Sequence, residues 1–163
     1  MNYFERGRVY IIAEAGVNHD GDYDKAMALV DAAAQAGADA VKFQTFNARL
    51  LASSSAPKAA YQKRNTGEED SQLEMLLKLE LPHAWHYPLQ ARARELGLDF
   101  LSTAFDHESL AFLDQLELPV YKIPSGEITN GPLLWSIAQG GRPMILSTGM
   151  ATLGEIDQAL AVL

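Results

Sequence analysis

The 163-residue sequence contains no cysteine. That absence removes disulfide frameworks, thiolate metal sites and cysteine nucleophiles together, and leaves the redox compartment open. A long apolar run is also missing. The stretch near the N-terminus breaks at Glu14, too early for a membrane span or a signal peptide, so a cytoplasmic location is the expectation. Basic residues are few, 13 Lys plus Arg against 21 Asp plus Glu, for a formal charge of −8. With no basic block, neither nucleic acid nor an anionic membrane is expected as a partner, and an anionic substrate would need a locally basic pocket. The glycine-rich dinucleotide fingerprint, the P-loop, the His-Glu-x-x-His zinc motif and the Gly-x-Ser-x-Gly elbow do not occur, which removes the support for nucleotide-binding and serine-hydrolase readings. What remains is an ordinary globular composition, 48% hydrophobic and 21% charged, enough for one domain with a real core.

Short β-rich runs alternate with amphipathic helical stretches. Arg8 to Ala13 predicts a strand, and Ala26, Leu29, Val30 and Ala33 mark one face of a helix over 22–36 that Gly37 stops. Ala40 to Phe46 predicts a second strand. A long excursion follows from Asn47 to Glu80, with a Ser-rich patch at Ser53 to Ser55 and a short helix from Ser71 to Lys78; a connection of that length usually has a function. Further on come a helix over 83–96, a strand over 100–104, a helix that Asp106 caps, a strand over 120–123, a helix that Pro132 opens, a strand over 144–146, and a last helix with a Thr152/Glu155 capping box. Five βα units in a row predict a parallel sheet with right-handed crossovers, doubly wound or part of a barrel. A complete (β/α)₈ barrel needs about 250 residues, so the chain is short for one.

In parallel α/β folds chemistry gathers at the carboxyl ends of the strands. Strand alternation puts Ile12 with Glu14, Lys42 with Gln44, Leu101 with Thr103, Val120 with Lys122 and Ile145 with Ser147 on common faces. If those faces share one mouth, it holds two ammonium groups, the carboxylates Glu14 and Glu127, an amide and several hydroxyls, which together form an anion site. A lone strand-end Ser or Thr is more often a cap or turn residue. Two lysines directed inward from strands are harder to assign to structure alone, although an ion pair with Glu14 or Glu127 is the competing reading. Asp20, Asp22 and Asp24 resemble the start of a calcium loop, but Lys25 stands where that loop needs Gly and Asp31 where it needs Glu, so these acids are expected to cap the first helix. His83 and His86 are read as solvated or edge histidines rather than a metal pair, and His19 follows Asn18 in the loop after Glu14.

Five segments can then be read as a set: Ala13-Glu14-Ala15-Gly16-Val17-Asn18-His19, Val41-Lys42-Phe43-Gln44-Thr45-Phe46, Leu101-Ser102-Thr103-Ala104-Phe105-Asp106, Tyr121-Lys122-Ile123-Pro124-Ser125-Gly126-Glu127 and Ile145-Leu146-Ser147-Thr148-Gly149-Met150. In that order they resemble the N-terminal half of the sialic acid synthase family. Within the excursion, Ala60-Tyr61-Gln62 and Ser71-Gln72-Leu73-Glu74-Met75 are more similar to its N-acetylneuraminate and legionaminic acid synthases than to its pseudaminic acid synthases. The resemblance implies an α/β fold consisting of the first five βα units of a TIM-type barrel, incomplete, with the later strands and a C-terminal antifreeze-like domain absent. It implies a transferase that condenses phosphoenolpyruvate with an open-chain N-acetylated hexosamine to give a nine-carbon 2-keto acid and phosphate, the fragment alone being inactive.

By the same resemblance Lys42, Thr103, Lys122, Ser125 and Ser147 bind phosphoenolpyruvate, Gln44 contacts the sugar, and Glu14 and Glu127 are the catalytic carboxylates, unranked between water activator and orienting group. A divalent metal, Mn or Mg, is implied, with ligands on later strands and none in this chain, and the intact enzyme is expected to be a homodimer. Ala104 departs from the proline common in the family after Ser-Thr. Two other readings stay open: a non-catalytic anion-binding or interaction module derived from such a barrel, and another phosphoenolpyruvate-condensing aldol synthase.

Overall fold

The computed structural model describes residues 9–52 and 71–163. Five parallel strands alternate with helices along the chain: β1 (Ile12–Gly16), α1 (Tyr23–Gln35), β2 (Ala40–Thr45), α2 (Ala48–Leu51), α3 (Gln72–Leu79), α4 (His83–Glu95), β3 (Asp99–Ala104), α5 (His107–Gln115), β4 (Tyr121–Ile123), a 3₁₀ turn (Ser125–Glu127), α6 (Gly131–Gln139), β5 (Met144–Leu146) and α7 (Leu153–Val162). The Ser53 to Ser55 patch and the Ala60-Tyr61-Gln62 segment lie outside the described residues.

Local chemistry sets the helix starts. Asp22 caps α1 by accepting from the Lys25 N–H, which is the capping role expected for that acid cluster. Ser71 with Glu74 and Thr152 with Glu155 form reciprocal capping boxes on α3 and α7. Asp106 caps α5 through the Ser109 N–H at 2.7 Å and also accepts from the Asn47 N–H at 2.9 Å, so one carboxylate ties the end of β2 to the start of a helix 59 positions later. The short α2, which the sequence pattern does not show, is capped by Asn47 and held by Glu80, whose carboxylate accepts from the Ala48 N–H.

The strands differ from expectation in two respects. The first runs from Ile12 to Gly16 instead of ending at Ala13, with a bulge between Glu14 and Gly16 where the register slips. Gly16 takes φ +54°, a left-handed conformation that stops the strand. The backbone ladder is also divided: β1, β2 and β3 pair in that order, and β4 pairs with β5. β3 and β4 lie side by side without joining into one ladder.

Two apolar clusters flank the strands. The larger lies between strands and helices and includes Val30, Phe43, Leu89, Phe100, Leu110, Ile123 and Leu133. The smaller occupies the other face, where Ala40, Leu101 and Val120 are buried and Ile12 and Ile145 pack against them. These are the positions two residues before Lys42, Thr103, Lys122, Glu14 and Ser147. The expected alternation therefore holds, with an apolar layer directly beneath a polar one.

Two histidines lie within the helix side of the fold. His86, expected at an edge or in solvent, is fully buried, as is His19. The Pro82 carbonyl can only accept, so His86 Nδ1 donates to it at 3.1 Å; Nε2 then accepts from the Thr45 hydroxyl at 2.7 Å, and Thr45 accepts from Ser102 at 2.7 Å. Burial of His86 is tolerable because the Thr45 hydroxyl, itself bonded to Ser102, and the Pro82 carbonyl occupy both ring nitrogens, which an edge or solvated histidine would not need. His19 Nδ1 accepts from the Gly21 N–H at 3.0 Å, which places its proton on Nε2.

Burial pushes both imidazoles below their ordinary value, His86 to about 4. Since the folded state holds them neutral, their contribution is complete above pH about 6.5 and is lost as the pH falls below it, for His86 toward about 4. The urea midpoint should drop between pH 7.5 and pH 5, and His86→Gln should flatten that drop. An equal drop in His86→Gln would remove this histidine from the account.

The loop holding His19 is tightly fitted against α3. Gly21 has φ +72°, and a Cβ there would lie 2.5 Å from the Lys78 carbonyl oxygen, a backbone atom. Gly37, at φ +75°, has nothing within 4 Å of its Cβ position. Gly37→Ala should therefore lose about 1–2 kcal/mol to the left-handed backbone alone. Gly21→Ala should lose roughly 1–3 kcal/mol more for the overlap, measured as the difference between the two unfolding free energies. Equal losses would mean that the α3 contact yields without cost.

Candidate active site

At the carboxyl ends of the strands, polar side chains rise from the smaller apolar layer. Glu14 and Lys42 are register partners on β1 and β2, and the Lys42 ammonium meets the Glu14 carboxylate at 2.5 Å. The Lys42 side chain is 7% exposed and that of Glu14 55%, so the lysine is enclosed while the carboxylate stands at the opening. From β3, the buried Thr103 hydroxyl accepts from Lys42 at 3.4 Å. Gln44 pairs in register with Thr103, one step further toward the mouth.

A second cluster comes from β4 and β5. The half-buried Lys122 donates to the Ser147 hydroxyl at 2.7 Å and to the Ile123 carbonyl at 3.1 Å. The Ser147 N–H donates to the Ile123 carbonyl at 3.0 Å, which extends the β4–β5 pairing and fixes where that hydroxyl stands. Ser125 lies against the following loop, since a Cβ on Gly149 would be 3.4 Å from its hydroxyl.

The two clusters act on one another electrostatically. Burial first, and the Lys42 charge second, hold the Lys122 ammonium below its ordinary pKa, with Glu14 opposing. Lys42, Lys122 and Glu14 thus share one electrostatic site, although they come from strands up to 108 positions apart in sequence. Two cations and one nearby carboxylate leave a net positive pocket on a chain whose overall charge is −8.

Glu127 is placed differently. Its carboxylate accepts from the Asn130 side-chain amide at 2.7 Å, and Asn130 caps α6. That bond leaves the carboxylate tied to the start of a helix, while Glu14 faces the lysines. Gly16 is a position that the reading of strand-end side chains misses. A Cβ there would come 3.2 Å from Glu14 Oε1 and 3.7 Å from Gln44 Nε2, so the bare backbone leaves the space those two groups share. Its signal in the sequence was only a glycine two residues after an acidic strand end. Among the described residues, no three His, Asp or Glu side chains gather as a metal-ligand set.

The chain spans about half the length of the relatives it matches. It is 52% identical over 156 residues to the N,N'-diacetyllegionaminic acid synthase of Campylobacter jejuni, covering 96% of this chain and 47% of that protein. It is 33% identical over 153 residues to the N-acetylneuraminate-9-phosphate synthase of Mus musculus, covering 94% of this chain and 42% of the mouse protein. Its fold superposes with a TM-score of 0.80 on the N-acetylneuraminic acid synthetase of Leptospira borgpetersenii, solved with citrate, at 32% identity over 96% of this chain and 50% of that one. A DAHP synthase from Thermotoga maritima shares the fold alone, with a TM-score of 0.62 at 13% identity. Residues 29–163 match the NeuB family, and the chain belongs to it.

Proposed function

We propose that this chain forms the phosphoenolpyruvate-binding half of a sialic acid synthase-type enzyme, one that joins phosphoenolpyruvate to an open-chain N-acetylated hexosamine and releases phosphate. The observation that carries the reading is the pair of lysines from β2 and β4 that act on one another electrostatically, Lys42 with Glu14 and the Thr103 hydroxyl as partners and Lys122 with the Ser147 hydroxyl. Phosphoenolpyruvate bears a phosphate and a carboxylate, and paired ammoniums with fixed hydroxyls match both. Ser125 and Gly149 would close the cradle on the β5 side. The names of the relatives support a nine-carbon sugar acid as product.

In this reading an incoming anion takes over the Lys42 ammonium and frees Glu14. Carbon 3 of the enol attacks the sugar aldehyde, water adds at carbon 2, and phosphate leaves with cleavage of the carbon–oxygen bond. A carboxylate must take the proton from that water, and Glu14, exposed at the mouth, is positioned to do so. Gln44, at the outer end of β2, would meet the sugar, and Glu127 would orient the loop before α6 through Asn130. A divalent cation, Mn or Mg, is part of the proposal because it would polarise the aldehyde. The described residues do not supply a ligand set for it, so its ligands would have to lie outside them.

The five βα units are proposed as the first part of a closed barrel. Supporting this, β1 pairs only with β2 and β5 only with β4 among the described residues, which leaves each with a free edge. The expected homodimer belongs to the same proposal. A cytoplasmic location is likewise proposed, and no described helix is long and apolar enough to cross a membrane.

The test is an assay of the intact protein for phosphate release from phosphoenolpyruvate. It should run with N-acetylated hexosamines, of the N-acetylmannosamine or diacetylated type, and fail with phosphorylated aldoses that carry no N-acetyl group. Release that requires a phosphorylated aldose without an N-acetyl group would assign the chain to another aldol synthase, and binding of phosphoenolpyruvate with no turnover on any sugar would make it an anion-binding module.

A further inference from the structure

The two lysines of the pocket are not equivalent. Lys42 has a carboxylate against its ammonium and a threonine hydroxyl behind it. Lys122, half-buried like its serine partner, touches only neutral oxygens, the Ser147 hydroxyl and the Ile123 carbonyl, and no carboxylate lies within ion-pair distance of it among the described residues. The charges that act on it are the Lys42 ammonium, which disfavours its protonated form, and, opposing that, Glu14. Thr103 on β3 adds a hydroxyl, and Glu127 on the turn after β4 spends its carboxylate on Asn130. A partly desolvated amine beside a second cation is the arrangement that makes a lysine nucleophilic near neutral pH.

We propose that Lys122 is a nucleophilic amine that condenses reversibly with small anionic carbonyl compounds, those carrying a carboxylate or phosphate within reach of an aldehyde or ketone. The proposal rests on the asymmetry of the lysine pair and goes beyond the condensation of phosphoenolpyruvate, which needs no covalent bond to the protein. The anionic group is held by Lys42 and the hydroxyls, while the carbonyl carbon faces the Lys122 nitrogen. The amine lone pair attacks that carbon; a carbon–nitrogen double bond forms, and the carbonyl oxygen leaves as water with both amine hydrogens. Ser147, at 2.7 Å from the nitrogen, is placed to pass a proton to the departing oxygen. The lowered pKa of Lys122 supports the same assignment by raising the fraction of free amine.

Pyridoxal 5′-phosphate, an aldehyde with a phosphate, is the probe. The intact protein is incubated with it over a range of pH, reduced with borohydride so that hydride converts the imine to a stable secondary amine, and mapped by peptide mass spectrometry. The adduct should concentrate on Lys122 and form at lower pH than on Lys25, whose side chain is 56% exposed and paired with Asp20. Inorganic phosphate should suppress it, and Lys122→Arg should reduce it to background with the circular dichroism spectrum kept. Lys42→Met, which removes the neighbouring charge, should move the pH midpoint of labelling upward, a change that a merely structural role would not produce. Labelling spread over exposed lysines, labelling that phosphate does not suppress, or preferential labelling of Lys42 would each overturn the proposal. Binding of phosphoenolpyruvate, followed separately by calorimetry, reports on the anion site itself, so a failed adduct with intact binding refutes the nucleophile alone.

Discussion

Glu14→Gln should lower turnover of the intact enzyme by roughly a hundred- to ten-thousand-fold while leaving phosphoenolpyruvate binding largely in place. The substitution keeps the size and hydrogen-bonding reach of the side chain and removes its basicity together with its charge. Glu14 faces the lysine pair from an exposed position, where water has access, and a carboxylate there can accept the proton as water adds at carbon 2. The charge change also acts on the lysines: without Glu14 the enclosed Lys42 loses its ion partner, which should strengthen its attraction for an anion. A Michaelis constant for phosphoenolpyruvate that stays level or falls, with a collapsed turnover number, is therefore the signature expected in steady-state kinetics. Glu127→Gln is the comparison. Its carboxylate accepts from Asn130 at the α6 cap, so its loss should act through the loop geometry and be the smaller. If Glu14→Gln turned over normally and Glu127→Gln did not, the two roles would have to be exchanged.

Replacing either lysine by Met should raise the Michaelis constant for phosphoenolpyruvate by roughly ten- to a hundred-fold, since losing a hydrogen bond to a charged group costs about 1.5–3 kcal/mol. The constant for the sugar should change far less. The two variants should also differ from each other. Lys42→Met leaves Glu14 without its ion partner and relieves Lys122 of its neighbouring charge, whereas Lys122→Met leaves the Lys42–Glu14 pair standing and removes the hydrogen bond to Ser147. Initial-rate measurements varying each substrate in turn decide the matter. Unchanged phosphoenolpyruvate kinetics in both variants would end the assignment of this pocket to that substrate.

The alternation of strands and helices was legible from the periodicity of apolar residues, and so was the common face of the strand-end residues, because a strand turns each side chain opposite to the last. Ile12, Leu101, Val120 and Ile145 pack on one side for that reason, and the polar residues two positions later rise from the same side. The bulge after Glu14 was not legible, since it depends on a local register slip against β2. Nor was the burial of His86. Its partner Thr45 and the Ser102 hydroxyl bonded to that threonine stand 41 and 16 positions away in sequence, on two different strands, and a histidine on an amphipathic helix carries no sign of them. The attachment of Glu127 to Asn130 was hidden for a different reason: it is a capping contact three residues long, and the motif containing Glu127 reads equally well as a catalytic loop.

The alternation along β2 has a consequence for how the chain tolerates change. Val41, Phe43 and Thr45 face the helices and the buried histidines, while Lys42 and Gln44 belong to the polar face at the mouth. Neighbouring codons therefore answer to different selection. Variants at the odd positions should be depleted wherever cellular abundance is measured, and variants at Gln44 only where catalysis is. On the proposed reading, a change of sugar preference would then accumulate at Gln44 without eroding the amount of folded protein, while Lys42 and Ala40 stay fixed by the anion site and the apolar layer.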